Sequence, residues 1–137
     1  MYLLDANVLM HIANRATGYE SIRDKLKTLR KSDFALSAIT AIELWQMTYN
    51  NTASKRGRAE LSAMFHSVRV IPFNADASEY GGLLLTVTKE KGKAIGWPDT
   101  MLAAHALTLN ATVVTNNTRH FVRSGCKLED WRGFIPA

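Results

Sequence analysis

Short apolar runs alternate with longer amphipathic segments along this chain, and this alternation is the feature that most limits its fold. Four runs have the length and residue types of strands, at residues 2–4, 34–37, 68–71 and 112–115. The segments between them carry apolar residues at helical spacing and are bounded by capping residues, glycine or proline. Strands separated by helices predict an α/β fold, with a mainly parallel sheet and helices on both faces.

The segments between the runs predict six main helices. They cover residues 7–13, 19–29, 39–49, 54–66, 75–91 and 97–109. Pro98 falls in the first turn of the last helix, where its missing N–H leaves no hydrogen bond unmade. A short helical turn after the fourth strand and an edge strand at 127–129 complete the prediction. The 137 residues contain no repeat or linker, so we expect one domain over residues 1–137.

Composition limits the cellular location of the protein and the kind of molecule that it is expected to bind. No apolar run approaches the roughly 18 residues of a membrane span, and the N-terminus lacks the plan of a signal peptide. The single cysteine, Cys126, can form neither an internal disulfide nor a cysteine-based metal site, so a cytoplasmic protein is expected. The net charge of +5 fits a nucleic-acid partner, and it equally fits a basic protein that has none.

Three acidic residues lie in apolar surroundings rather than in charged stretches. They are Asp5 in LLDANVL, Glu43 in AITAIELW and Asp99 in GWPDTMLAA. Burying a lone carboxylate is expensive unless it is paired, hydrogen-bonded or bound to metal. Asp5 follows the first strand, and Asn117 follows the fourth. The carboxyl ends of parallel strands meet at one edge of a sheet, where ligands bind, so these side chains should lie close together.

Each acid also has a purely structural explanation. Asp5 could cap the helix that follows it, and Asp99 could complement the positive end of its helix. Glu43 could face solvent or pair with a basic residue. Taken together, with Asn117 as a fourth oxygen donor, they form a carboxylate cluster without cysteine or paired histidines, which suits Mg²⁺ or Mn²⁺. Such a cation can activate a water for attack on a phosphodiester.

Basic residues elsewhere could hold a nucleic-acid backbone beside such a cluster. Candidates are Lys55, Arg56 and Arg58 in the stretch KRGR, together with Lys93. The alternative is that they form a solvated surface.

Other motifs point to packing or exclude further chemistry. His105 lies in an alanine-rich helical run and is expected in the core, and Gly81 with Gly82 is expected to permit close packing. Tryptophans 45, 97 and 131 are expected to anchor the core or an interface. The chain has no G-x-S-x-G, P-loop or G-x-G-x-x-G motif. A phosphatase of the haloacid dehalogenase type would need a second aspartate where this chain has Asn7.

Five segments, in order and spacing, resemble the PIN-domain ribonucleases, and most closely the VapC toxins of bacterial toxin–antitoxin pairs. They are LLDANVL, SAITAIEL, GWPDTMLAAHAL, VVTNNTRHF and LEDW. The resemblance implies a PIN fold with a central parallel sheet of four or five strands. It implies a Mg²⁺- or Mn²⁺-dependent endoribonuclease that cuts tRNA or ribosomal RNA and blocks translation. It also implies a homodimer and a VapB-like antitoxin whose C-terminal segment wraps the toxin and blocks its site.

The same resemblance assigns roles to the acidic residues. Asp5 and Asp99 would ligate the metal directly, and Glu43 would complete the cluster through metal or water. Asn117 falls where many PIN domains carry a fourth acid in a T-x-D motif. Several VapC-like proteins have T-N-N there, as this chain does. This departure weakens the case for a permanently occupied second metal site.

Three neighbouring residues have smaller expected roles. Thr115 would support the cluster by a hydroxyl contact, and Asn7 would support it from the first helix. His120 stands where similar toxins often carry Glu or Asp, and the sequence assigns it no role.

Two alternatives to a toxin nuclease remain open. One is a catalytically inactive PIN-like interaction module in a repressor complex. The other is a nuclease in RNA processing or DNA work that is not a toxin. The presence of all three acids argues against the first, and the small size, without an added RNA-binding domain, argues against the second.

Overall fold

A five-stranded parallel sheet forms the centre of the molecule. The computed structural model describes residues 1–50, 54–90 and 96–136. The strands are β1 (Tyr2–Leu4), β2 (Phe34–Ser37), β3 (Val70–Ile71), β4 (Thr112–Val114) and β5 (Lys127–Glu129). Their order across the sheet is β3-β2-β1-β4-β5, and every pairing is parallel. The predicted α/β fold with a mainly parallel sheet is confirmed.

Helices connect the strands and cover the sheet. They are α1 (Ala6–Ala13), α2 (Tyr19–Lys27), α3 (Ala38–Tyr49), α4 (Lys55–Ser67), α5 (Ala75–Glu90), α6 (Trp97–Leu109) and the short α7 (Thr118–Phe121). Single 3₁₀ turns occupy Lys31–Asp33 and Val122–Ser124. Within the described ranges, none of these helices combines the length and the apolar character that crossing a membrane requires.

Both faces of the sheet are buried, as a parallel sheet between helical layers requires. Leu3 and Leu4 of β1 are fully buried and belong to different core clusters, because successive side chains of a strand point to opposite faces. The Leu4 cluster includes Ile22 of α2 and Leu61 of α4. The Leu3 cluster includes Leu102 of α6. This packing fixes β1 at the centre and therefore fixes where its carboxyl end lies.

Element boundaries differ from the predictions by two residues at two places and by one residue at several others. The third strand covers only Val70–Ile71, because α4 continues to Ser67 and Val68 caps its C-terminus. Helix α2 ends at Lys27, two residues before the predicted end at 29. The predicted end of α5 at residue 91 lies outside the described residues.

Packing predictions for single residues are mostly confirmed. His105 is buried, with its Nδ1 2.8 Å from the Ser37 hydroxyl. A Cβ at Gly81 would lie 3.0 Å from the Met101 sulfur, which shows close packing, whereas Gly82 has open space. Among the tryptophans, 131 is in the core, while 45 and 97 are 41% and 57% exposed.

Candidate active site

Asp5 lies at the junction of β1 and α1, at the carboxyl end of the central strand. Its backbone N–H donates to the Val114 carbonyl at 2.9 Å, which extends the β1–β4 ladder by one residue. The Asp5 carboxylate makes no side-chain cap hydrogen bond to α1. Its Oδ2 instead accepts a 2.8 Å hydrogen bond from the Thr115 hydroxyl, and the residue is 4% exposed. The side chain is therefore hydrogen-bonded to the end of β4, while the backbone N–H groups of Ala6 and Asn7 at the start of α1 also favour its charged form.

The loop after β4 is tied to the first strand and helix by polar contacts. Thr115 is fully buried, and its hydroxyl oxygen also accepts from the Asn117 backbone N–H at 3.0 Å. The Asn7 side-chain oxygen accepts from the Asn116 backbone N–H at 3.3 Å. The expected hydroxyl contact of Thr115 is present. These bonds hold Asp5 and Asn117 in a defined relation to each other.

Asp99 lies in the first turn of α6, which also contains Pro98. Its side chain is 24% exposed, and its Oδ2 lies 3.2 Å from Nδ1 of His120. The same Nδ1 lies 2.9 Å from Nδ2 of Asn117. The short helix α7, which begins after Asn117, therefore brings His120 and Asn117 against the acid of α6.

Glu43 lies on α3, which begins directly after β2. The Ser37 hydroxyl oxygen accepts from the Ile39 backbone N–H at 3.1 Å, so the helix begins with a serine cap. Glu43 is half-buried and takes part in none of the ion pairs between described residues. Pairing with a basic residue is therefore not what stabilises its charge there.

Asp5, Glu43 and Asp99 lie near enough to one another for their charges to affect the pKa values of Asp5 and Glu43. Burial raises the pKa of Asp5 from 3.8 to about 6, with a further increase from the charge of Asp99, while the Thr115 hydrogen bond acts in the opposite direction. Burial also raises the pKa of Glu43, from 4.5 to about 7, and the charges of Asp5 and Asp99 add to this increase. Like charges near one another raise each other's pKa. The edge of the sheet is thus a concentration of negative charge.

This donor set fits a hard divalent cation that keeps part of its water shell. Within the described residues, no three His, Cys, Asp or Glu side chains stand close enough to enclose a metal ion by themselves. Mg²⁺ is commonly held by one or two carboxylates together with waters, so an incomplete protein shell is compatible with it. A cation would also favour the charged forms of Asp5 and Glu43, whose pKa values are raised first by burial and then by repulsion between the acids.

The predicted basic residues lie on a different element from the acids. Lys55 and Arg56 are exposed on the first turn of α4, and Arg58 is partly exposed there. The Ser54 hydroxyl oxygen accepts from a backbone N–H of that turn at 3.0 Å. The fourth candidate, Lys93, lies outside the described residues.

His120 is the residue of the site that the sequence left without a role. His120 lies three residues after Asn117 in a predicted helical turn, and side chains at this spacing are neighbours on a helix. This spacing predicts that the two side chains lie together.

Comparisons with known proteins identify the family of this chain. The PIN domain family matches residues 2–125. The Ribonuclease VapC2 of Rickettsia felis is 32% identical over 133 residues, covering 96% of this chain and 98% of that protein. The tRNA(fMet)-specific endonuclease VapC of Salmonella typhimurium is 31% identical over 132 residues, with 95% and 97% covered.

A solved structure shows the same fold. It is that of VapBC2 from Rickettsia felis bound to a DNA fragment from its promoter, matched with a TM-score of 0.77 and 30% identity over 95% of this chain and 98% of that one. The family match covers most of the chain, and two relatives exceed 30% identity along nearly their whole length. The chain belongs to the PIN-domain family, and within it to the VapC ribonucleases.

Proposed function

We propose that this protein is the toxin of a type II toxin–antitoxin system, a divalent-metal-dependent endoribonuclease that blocks translation by cutting tRNA or ribosomal RNA. The observation that carries the proposal is the electrostatic coupling of three acids at the carboxyl end of the central strands. The names of the relatives support RNA as the substrate, and tRNA in particular. Residues 1–137 are taken as a single PIN domain.

The roles of the acids are those that the resemblance to the family's three acidic residues implies. Asp5 and Asp99 would hold Mg²⁺ or Mn²⁺, and Glu43 would complete the cluster through the metal or a water. When bound, the cation supplies an activated water and clamps a phosphate oxygen. Thr115 orients Asp5 through its hydroxyl. Asn117 adds an oxygen donor beside Asp99.

The charge of Glu43 depends on whether a cation is bound. In the metal-free protein, burial together with the charges of Asp5 and Asp99 raises its pKa to about 7. A bound cation would lower this pKa, so Glu43 would be ionised in the loaded site. The half-buried carboxylate would then accept a hydrogen bond from a water at the edge of the sheet.

Substrate binding would draw on the positive charge of the molecule. The chain carries a net charge of +5, and the exposed Lys55 and Arg56 on α4 could contact phosphates outside the acidic site. Arg58 and Lys93 belong to the same proposed set. A basic surface is needed because the carboxylate cluster by itself repels the RNA backbone.

The proposed partners are a VapB-like antitoxin and a second copy of this chain. The structure of the Rickettsia VapBC2 pair on promoter DNA supports the antitoxin. It also favours a role for the complexed toxin in repression, which is the second candidate function. The single cysteine of the chain, Cys126, is free, which fits the proposed cytoplasmic location.

Cleavage of purified total tRNA and ribosomal RNA tests the proposal. The reactions contain Mg²⁺, Mn²⁺ or a chelator, and they compare the native protein with Asp5→Asn and Asp99→Asn. Asp76→Asn, the same chemical change at an exposed position of α5, is the matched control. We expect discrete fragments that need metal, persist in the control and disappear in both site variants.

Other outcomes separate the alternatives. A folded protein that cuts nothing with any metal but binds the product of a neighbouring antitoxin gene would be an interaction module. Cleavage of single-stranded DNA in preference to RNA would indicate a nuclease that is not a toxin. Cleavage that survives in both site variants would refute the assignment of the acids.

A further inference from the structure

The imidazole of His120 has contacts that the proposed roles do not use. Its Nδ1 faces two side chains of the site, at 3.2 Å from Asp99 Oδ2 and 2.9 Å from Asn117 Nδ2. The ring is 58% exposed, so packing does not force this orientation. Polar contacts, rather than packing, therefore direct the Nδ1 atom toward the acidic cluster.

No single protonation state satisfies both contacts as they stand. A hydrogen bond from the Asn117 amide nitrogen needs a lone pair on His120 Nδ1, whereas a hydrogen bond to Asp99 needs a proton there. Turning the amide over exchanges its nitrogen and oxygen without changing its shape. Asn117 Oδ1, Asp99 Oδ2 and His120 Nδ1 then converge with their lone pairs directed at one another. Either a proton on Nδ1 or a cation between the three atoms resolves this arrangement.

The distances match those between ligands of one cation. Two ligands at right angles on an octahedral ion, each about 2.1 Å from it, are roughly 3 Å apart. The Nδ1–Oδ2 separation of 3.2 Å and the Nδ1–amide separation of 2.9 Å both have this spacing. His120 Nδ1 is thus shared between the two contacts, one of which is to Asp99, the acid that the proposed function assigns to the metal.

We propose that His120 Nδ1 is a direct nitrogen ligand of the metal, so that the site selects a first-row transition cation over Mg²⁺. This inference rests on the proposed function, because it requires a cation at Asp99. Imidazole binds first-row transition ions well, while Mg²⁺ prefers oxygen ligands only. A nitrogen donor in an otherwise oxygen-based site therefore changes which metal is bound, without adding a charge.

Electron spin-echo spectroscopy of the Mn²⁺-loaded full chain tests the inference, because it detects nitrogen nuclei bonded to the ion. We expect nitrogen modulation in the native protein and its loss in His120→Gln. His66→Gln is the matched control, since His66 is exposed on α4 and far along the chain from the site. Calorimetry should show Mn²⁺ affinity falling about tenfold in His120→Gln, with Mg²⁺ affinity changed less than about threefold.

Three results overturn the inference, and one of them separates it from the proposed function. If Mn²⁺ binds and Asp99→Asn abolishes binding, but the native protein gives no nitrogen modulation, the metal site stands and His120 is only a hydrogen-bond donor to Asp99. Modulation that persists in His120→Gln assigns the nitrogen to another residue. If the native protein binds no divalent cation at all, both proposals fail.

Discussion

The metal-free protein should lose stability as the pH rises from 5 to 8, and Asp5→Asn should remove much of this loss. The folded-state pKa of Asp5 is about 6, against an ordinary value of 3.8. Between these values the folded protein holds a proton that the unfolded chain has already released. The stabilising contribution of the protonated group is therefore complete below about pH 4 and is lost as the pH rises through 6.

The magnitude follows from the size of this shift. Each pKa unit corresponds to about 1.4 kcal/mol, so the ionised Asp5 reduces the free energy of unfolding by about 3 kcal/mol at high pH. Roughly half of this change falls between pH 5 and 8. For a chain of this size, that corresponds to a fall of roughly 5 °C in Tm. Glu43 acts in the same direction, with a smaller effect because a half-exposed carboxylate is screened by solvent.

Thermal unfolding followed by circular dichroism, in chelator and at several pH values, measures the effect. The informative quantity is the difference in pH slope between the native protein and Asp5→Asn, which also contains the fall in the Glu43 pKa that follows from removing the Asp5 charge. Asp76→Asn on the exposed side of α5 should keep the native slope. Mn²⁺ or Mg²⁺ should restore stability at pH 8 in the native protein and in Asp76→Asn, but not in Asp5→Asn. Equal slopes in the native protein and Asp5→Asn would falsify the electrostatic account.

Three further predictions concern the stability of the fold and the binding of RNA. Ser37→Ala should reduce the free energy of unfolding by about 1–3 kcal/mol in chemical denaturation, because it removes the α3 cap and the partner of buried His105. Gly18→Ala should cost about 1 kcal/mol or more by the same measurement, because Gly18 has a φ of +90° that a side chain strains; an unchanged midpoint would contradict this. Replacing Lys55 and Arg56 by alanine should weaken RNA binding and flatten its salt dependence in filter-binding titrations, whereas an unchanged slope would make them solvated surface.

The fold could be predicted from sequence because its signals are local. Strands in a parallel sheet buried on both faces appear as continuous short apolar runs, which is how β1, β2 and β4 stand in the sequence. Helix α6 has a proline in its first turn, and α3 has a serine cap. The third strand was predicted to begin at residue 68, because Val68 is apolar like Val70 and Ile71. In the structure Val68 is the C-terminal capping residue of α4, so the strand begins two residues later.

The sequence predicts only the part of the site that lies at the carboxyl ends of the strands, because those ends share one edge of the sheet. Asp5 directly follows β1, and Asn117 lies three residues after the end of β4, so the topology of a parallel sheet brings them to the same edge. Glu43 sits in the second turn of its helix, and its coupling to Asp5 depends on how α3 packs, which no local pattern states. The His120–Asp99 contact joins α7 to α6 over 21 residues of sequence separation and needs the folded chain to be seen.

The choice between a nuclease and an inactive interaction module can be argued from the same electrostatics. A native domain is stable by about 5–15 kcal/mol, so a loss of about 3 kcal/mol from one ionised aspartate is a large fraction of the total. A cation bound beside Asp5 favours its ionised form and stabilises the folded chain by mass action. A metal-dependent site therefore gives a physical reason for burying Asp5 at the end of β1. An interaction module would instead need its partner to supply the positive charge, so cation binding by the isolated chain distinguishes the two.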